Sequence, residues 1–197
     1  MRKLLGVVFL CACVFGLTAQ AQQLDASFGL GTTTSSDAAS AGPDFSPVSL
    51  GGGTHLTFAG DYLFWHHLGV GGEITWRAGQ NSYAGILPYR PIFYDINAVY
   101  APPLGEHAAA ELMAGFGAEN LHFYTGQYNC SFTSCTNYQS SNHLMGHIGG
   151  GVRLYVKGNI FVRPEAHVYF VRNNFEFSGP RVTRFGVSFG YSWGREP

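Results

Sequence analysis

The sequence predicts an all-β fold, an eight-stranded antiparallel up-and-down transmembrane β-barrel, on three observations. Apolar and polar residues alternate with period two in one segment after another. The connections between these segments are by turns short and long. The chain is also poor in charge: Asp, Glu, Lys and Arg make up 12%, where a soluble domain carries about a quarter. Aromatic residues at 15% and 27 glycines fit strands with one greasy face and one small or polar face. A length of 197 residues suits one domain. The formal net charge of −1 leaves no basic stripe to neutralise phosphates, which excludes nucleic acid as a partner.

The N-terminus reads as an export signal. Arg2 and Lys3 form its positive region, Leu4 to Leu17 its apolar core, and Ala19-Gln20-Ala21 a small-x-small site. The expected division is therefore a signal peptide over 1–21, cleaved before Gln22, and a barrel domain over 22–197. The apolar core is short of the ~20 residues a spanning helix needs. Leu10-Cys11-Ala12-Cys13 loosely matches a lipidation box, but the apolar run continues past the cysteine through Val14-Phe15-Gly16-Leu17. Beyond the signal no apolar run is long enough for a membrane helix, so a membrane location requires strands.

The strand segments expected are 23–31, 50–64, 69–78, 89–100, 108–123, 143–157, 160–171 and 181–193. The last shows the pattern well: Phe185, Val187, Phe189, Tyr191 and Trp193 fall on one face, Arg184, Gly186, Ser188, Gly190 and Ser192 on the other. Connections at 65–68, 101–107 and 158–159 are short and carry turn residues such as Lys157-Gly158-Asn159. Those at 32–49, 79–88, 124–142 and 172–180 are long and polar. Short turns at one end and long loops at the other, with an even strand count, return both termini to the periplasm.

Parity extends along the chain. Even positions of the first seven segments carry Phe28, Leu30, Phe58, Ile74, Ile96, Leu112, Phe116, Ile148 and Leu154. Odd positions carry Asp25, Asp61, Glu73, Arg77, Asp95, Glu111, Glu119, Arg153, Lys157, Arg163 and Glu165, and Arg184 joins them from the last strand with opposite parity. The acids come mainly from the first five strands and the bases from the last three. Barrel closure should set them against each other in a packed lumen crossed by ion pairs. An eight-strand interior is just filled by side chains, so a diffusive pore is not expected; a gated ion path is the alternative. Alternation cannot by itself say which face is inward. Export, aromatic content and loop asymmetry place the greasy face against lipid.

These phrases resemble the small outer-membrane β-barrel proteins of the OmpA-transmembrane and OmpX type, over essentially the whole mature chain. The resemblance rests on Gly60-Asp61-Tyr62-Leu63-Phe64 followed by His67-Leu68-Gly69-Val70-Gly71-Gly72-Glu73, and on the C-terminal strand. There, Arg184, Gly186, Phe189 and Tyr191 match the polar-x-Gly-x-x-aromatic-x-aromatic assembly signal. The resemblance implies insertion by the barrel-assembly machinery into the outer membrane of a Gram-negative-type bacterium, with outer-membrane lipid around the belt. The chain runs on to Gly194-Arg195-Glu196-Pro197 instead of ending on an aromatic, which leaves the register of that signal open but not the barrel.

Chemistry-bearing motifs are weak. Cys11 and Cys13 leave with the signal; Cys130 and Cys135 read as a short-loop disulfide, free thiols being the alternative. His143 and His147 have a zinc-helix spacing, but on a strand it is roughly 13 Å, too far for one ion. No catalytic residue, cofactor or metal is therefore expected. Lipid A deacylases of this size resemble a His-x-Ser pair on a lipid-facing strand, and no His-x-Ser occurs. His66-His67 beside Trp65 reads as an interfacial turn. Gly51-Gly52-Gly53 and Gly149-Gly150-Gly151 lack the Lys-Ser/Thr of a phosphate loop. The polar 124–142 loop, with Tyr124, Tyr128 and Tyr138, is the candidate surface for an extracellular protein or glycan. The expected role is structural or surface-interactive. A lipid-modifying enzyme and a secreted lipocalin-like binding barrel are the alternatives.

Overall fold

The computed structural model describes residues 22–35, 50–83, 85–130, 135–173, 177 and 179–195. The export signal at 1–21 lies outside these residues, as do most of the 32–49 connection and the last two residues of the chain. Ten strands run in chain order: β1 (Gln23–Ser35), β2 (Thr54–Trp65), β3 (Leu68–Arg77), β4 (Asn81–Tyr83), β5 (Leu87–Tyr100), β6 (Pro103–Gly105), β7 (Ala108–Cys130), β8 (Cys135–Lys157), β9 (Ile160–Val171) and β10 (Arg181–Trp193).

Eight of them close a ring of antiparallel neighbours. β1 pairs β10 from Leu24↔Trp193 to Ser35↔Val182, and β5 pairs β7 from Tyr89↔Phe123 to Tyr100↔Leu112. The remaining neighbours are consecutive hairpins. The short β4 and β6 are outgrowths that extend β5 and β7 at opposite ends of the ring. No helix among the described residues is long and apolar enough to cross a membrane.

Side-chain parity decides what faces outward. Phe58, Ile96, Phe116, Ile148, Phe185 and Phe189 are all more than half exposed, while Asp25, Glu111, Arg153, Arg163 and Arg184 are at most 2% exposed. This is the reverse of a soluble barrel, and it suits a hydrocarbon surround. A soluble lipocalin-type barrel, with its greasy face inward, is not what this chain forms.

Several of the expected boundaries need correction, among them the first strand, which runs to Ser35 and not 31. Most of the 124–142 region is strand and not loop: β7 and β8 continue into it as far as Cys130↔Cys135, with one irregularity between Tyr124 and Asn129. Its Ser, Thr and Asn content masks strands that alternate in water, where no greasy face is needed. The second strand begins at Thr54, not at 50, because Gly52 and Gly53 take φ of 84° and 78°, outside the β region. Within the 79–88 connection, Asn81–Tyr83 folds back on β5. The 101–107 turn contains β6, and its Pro102 carbonyl accepts from the Ala110 N–H. At 65–68 the turn is a two-residue hairpin, with His66 and His67 at φ of 43° and 67° and Trp65 opposite Leu68.

Putting charge on the outer belt should be costly. Phe116 sits opposite Ile96 and Gly146, well inside the belt. Phe116→Arg is expected to lower folding stability in lipid by about 2–4 kcal/mol, read from reversible urea unfolding in liposomes.

Candidate functional site

The interior is layered. At the short-turn end Leu63, Val99, Ala101 and Met113 pack together, with Ala109, Tyr155 and Phe161 beside them. At the long-loop end Tyr89, Phe93, Leu121, Met145, Tyr169 and Phe177 belong to a larger apolar cluster. Most of the buried ionisable side chains lie between these two caps.

The lower ionic layer centres on two arginines from β8 and β9. Arg153 donates to Asp61 Oδ2 at 3.1 Å and also bonds Asp25 and Glu111. Arg163 donates to Glu165 Oε2 at 2.8 Å and Ser27 Oγ at 3.3 Å, and bonds Glu111 as well. Glu111 thus bridges both guanidinium groups. Acids from β1, β2 and β7 meet bases from β8 and β9 across the lumen.

The upper layer centres on Arg184. Its Nη2 lies 2.9 Å from Glu73 Oε1 and 3.2 Å from Glu165 Oε1. Its Nη1 donates to Thr75 Oγ1 at 2.9 Å and bonds Thr57. Tyr169 donates its hydroxyl to Glu73 Oε1 at 2.8 Å. His147 Nδ1 lies 2.9 Å from Asn97 Oδ1 and 3.3 Å from Asp95 Oδ1, and Asn97 bonds Asp95. His147 Nε2 lies 2.9 Å from His167 Nδ1.

Not every residue expected in this network joins these two layers. Glu119 is buried, but it stands eight positions beyond Glu111 on β7, opposite His143 at the long-loop end. Arg77 is half-buried at the rim. Lys157 corrects the expectation outright: it is exposed at the last position of β8, where the register shifts between Tyr155 and Lys157 before the turn. In the C-terminal signal, Phe189 and Tyr191 face outward, and Gly186 lies opposite Glu165 and Gly31.

Two arrangements escaped sequence reasoning. The first is the His147–His167 pair, which depends on the β8–β9 register. The second is Ser141, whose hydroxyl lies 3.1 Å from His143 Nε2. The order along β8 is Ser-x-His, the reverse of His-x-Ser. His143 is buried and Ser141 partly buried on the inward face, away from the belt where an acyl substrate would lie.

At the long-loop end β7 and β8 form a tall hairpin. Segment 135–144 of β8 runs beyond Met145, the last residue to pair with β9, and adds roughly 30 Å of strand. A disulfide joins Cys130 to Cys135 at its tip. On its outer face His122 stacks on Tyr138 at 4.1 Å, and the Arg90 guanidinium lies 5.9 Å from the Tyr124 ring. At the opposite mouth a vestibule of about 630 Å³ reaches Arg153 and is flanked by Trp65, Tyr155 and Arg195.

A closed ring with a greasy exterior and an ion-paired interior defines an integral membrane β-barrel. The chain belongs to the outer membrane protein beta-barrel domain family, whose sequence profile matches residues 7–192. No curated protein matches the sequence. Among solved structures it is similar to Ail, the attachment invasion locus protein of Yersinia pestis, with 15% identity and a TM-score of 0.55 over 88% of this chain and 100% of that one. Neisserial surface protein A is similar at 11% identity and a TM-score of 0.59, over 87% of this chain and 97% of the other. The N-terminal β-barrel domain of Pseudomonas aeruginosa OprF is similar at 13% identity and a TM-score of 0.52, over 88% and 98%. At these identities the likeness is one of fold.

Removing Arg153 strands Asp25, Asp61 and Glu111 together in a closed interior. Arg153→Met is expected to destabilise the barrel by about 3–5 kcal/mol. Asp61→Asn should cost less, because Arg153 keeps two other carboxylates. Paired urea titrations of the two variants check the order.

Proposed function

We propose that this is a non-enzymatic outer-membrane protein with a structural and surface-interactive role, which contacts extracellular protein or glycan through the hairpin of β7 and β8. The hairpin itself supports this reading. It stands clear of the belt, is held by its own ladder and a disulfide, and carries Tyr124, Tyr128 and Tyr138. Tyr128 is 73% exposed. Rigid tyrosines offer large contact area at low entropic cost, with the hydroxyl left for polar partners. Ail, similar in fold, was crystallised with the heparin analogue sucrose octasulfate. Arg90 and His122 at the base of this hairpin make heparin a reasonable first probe here.

The lumen supports the same reading by what fills it. Apolar clusters at both ends and two ionic layers between them fill an eight-strand interior with side chains, which favours a packed lumen over a wide pore. Export completes the account: the signal over 1–21 is removed before Gln22, and the assembly machinery reads Gly186, Phe189 and Tyr191 on the last strand. Mass spectrometry of the mature N-terminus checks the first of these steps.

The binding test replaces Tyr124, Tyr128 and Tyr138 with serine in the full chain. Heparin and extracellular-matrix proteins serve as probes in surface plasmon resonance. The variant should keep the folded gel mobility and lose at least about tenfold in affinity, as expected when aromatic anchors are removed. Unchanged affinity, or no binding by the parent protein, would remove the hairpin from the account. On lipopolysaccharide the purified protein should release no fatty acid. Release abolished by Ser141→Ala would replace the structural role with the lipid-modifying one.

A further inference from the structure

We propose that the upper lumen holds one transition-metal dication of the zinc class, bound by His147 Nε2, His167 Nδ1 and a carboxylate oxygen of Glu73. These three residues come from β8, β9 and β3, and all are buried. One ligand atom from each lies within 4.8 Å of the others. The site is not the His143/His147 pair that spacing ruled out; it is assembled across strands.

The argument rests on where the ring nitrogens point. His147 Nδ1 faces two oxygens, Asn97 Oδ1 at 2.9 Å and Asp95 Oδ1 at 3.3 Å. Both are acceptors, since the amide nitrogen of Asn97 bonds Asp95. Nδ1 therefore carries the proton, and Nε2 presents a lone pair. His167 Nε2 is buried without a hydrogen-bond partner, and its nearest charge is Glu165 Oε1 at 3.6 Å. A proton on Nε2 suits that carboxylate, which leaves a lone pair on Nδ1. In that tautomer both inner nitrogens present lone pairs across 2.9 Å; a proton on His167 Nδ1 would instead make the contact an N–H···N hydrogen bond.

Something positive between them resolves the conflict. Two imidazoles on one tetrahedral ion, at Zn–N distances near 2.0–2.1 Å, hold their nitrogens about 3.3 Å apart, so a small outward shift of the rings admits the ion. Each outer nitrogen already faces a carboxylate, Asp95 or Glu165, as in the carboxylate–histidine–metal arrangements that fix ring orientation and raise ligand basicity. Tyr169, Thr75 and Arg184 orient the third donor, Glu73.

The backbone leaves the space. Gly149 lies opposite His167, and a Cβ there would come within 2.5 Å of His167 Nδ1 and 3.0 Å of His147 Nε2. Both ring nitrogens converge over that glycine. Charge favours the ion too. Seven carboxylates are buried in the interior, against the three fully buried guanidinium groups of Arg153, Arg163 and Arg184. Around the two rings stand Glu73, Asp95 and Glu165; Arg184 pairs with Glu73 and Glu165, Arg163 shares Glu165, and Asp95 faces His147. Imidazole with carboxylate suits zinc, copper or nickel better than magnesium or calcium. With the apolar cluster of Phe93, Tyr169 and Met145 on one side and the Arg153–Arg163 ionic layer on the other, the ion enters as the barrel folds and then stays.

The test refolds the full mature chain in detergent with Zn²⁺ or Cu²⁺ present, removes free metal with a chelator and counts metal per folded barrel. One equivalent should remain, and the Cu²⁺ form should show electron-spin coupling to two ring nitrogens. His147→Gln and His167→Gln should each keep folded gel mobility and lose retained metal, and Asp95→Asn should weaken it by about tenfold. His55→Gln and the double change His66→Gln with His67→Gln should leave the count unchanged. If the ligand variants do not fold, the parent's copper spectrum decides, and coupling to two nitrogens upholds the site. A folded parent without stoichiometric metal means that a shared proton joins the rings, and overturns the proposal. So does full retention in folded His167→Gln.

Discussion

In the hydrocarbon of a bilayer no water is present to satisfy a peptide N–H or C=O, and each group left unpaired costs several kcal/mol. The rest of the structure depends on that constraint. It requires the ring to close, and closure is achieved by β1 against β10 from Leu24↔Trp193 onward. Once the ring is closed, each strand has one face on lipid and one in the lumen, so period two ceases to be a preference and becomes a requirement. The outward face can be any apolar residue. The inward face must be filled by side chains that satisfy each other.

The three buried arginines meet that second demand. A guanidinium presents five donors in a planar fork, so Arg153 can reach Asp25, Asp61 and Glu111 from one position. Glu111 accepts from both Arg153 and Arg163, and Glu165 from both Arg163 and Arg184, which links the neighbouring strands β7, β8, β9 and β10 in one chain of ion pairs. Such pairs need not add net stability, because desolvation offsets much of the attraction. Their consequence is structural: they fill the lumen and tie its strands together side chain to side chain. Gly71 shows how tightly the packing is set, since a Cβ there would fall 2.1 Å from Asp61 Oδ1.

Much of this was legible in the residues, and unevenly. Strands over 160–171 and 181–193 are bracketed by Gly158-Asn159 and by polar connections, and they appear where alternation puts them. The hairpin beyond residue 123 was not legible, because outside the membrane neither face has to be greasy and Ser-Thr-Asn content then reads as loop. Lys157 follows the parity of the lumen yet lies at a turn, where parity ceases to fix direction. The facing of His147 and His167 could not be read at all. It depends on His167 pairing with Gly149 and His147 with Tyr169, a register set by the 158–159 turn and the β8 irregularity, not by either segment alone.

The central claim is one of orientation, and tryptophan quenching tests it directly. In a chain whose Trp65, Trp76 and Trp193 are replaced by phenylalanine, a single tryptophan is placed at Phe116 or at Phe161 and the protein is folded into vesicles of lipids brominated along their acyl chains. Phe116 is 68% exposed and Phe161 fully buried. Tryptophan at 116 should be strongly quenched and tryptophan at 161 hardly at all. Strong quenching at 161, with 116 instead open to an aqueous quencher, would contradict the account.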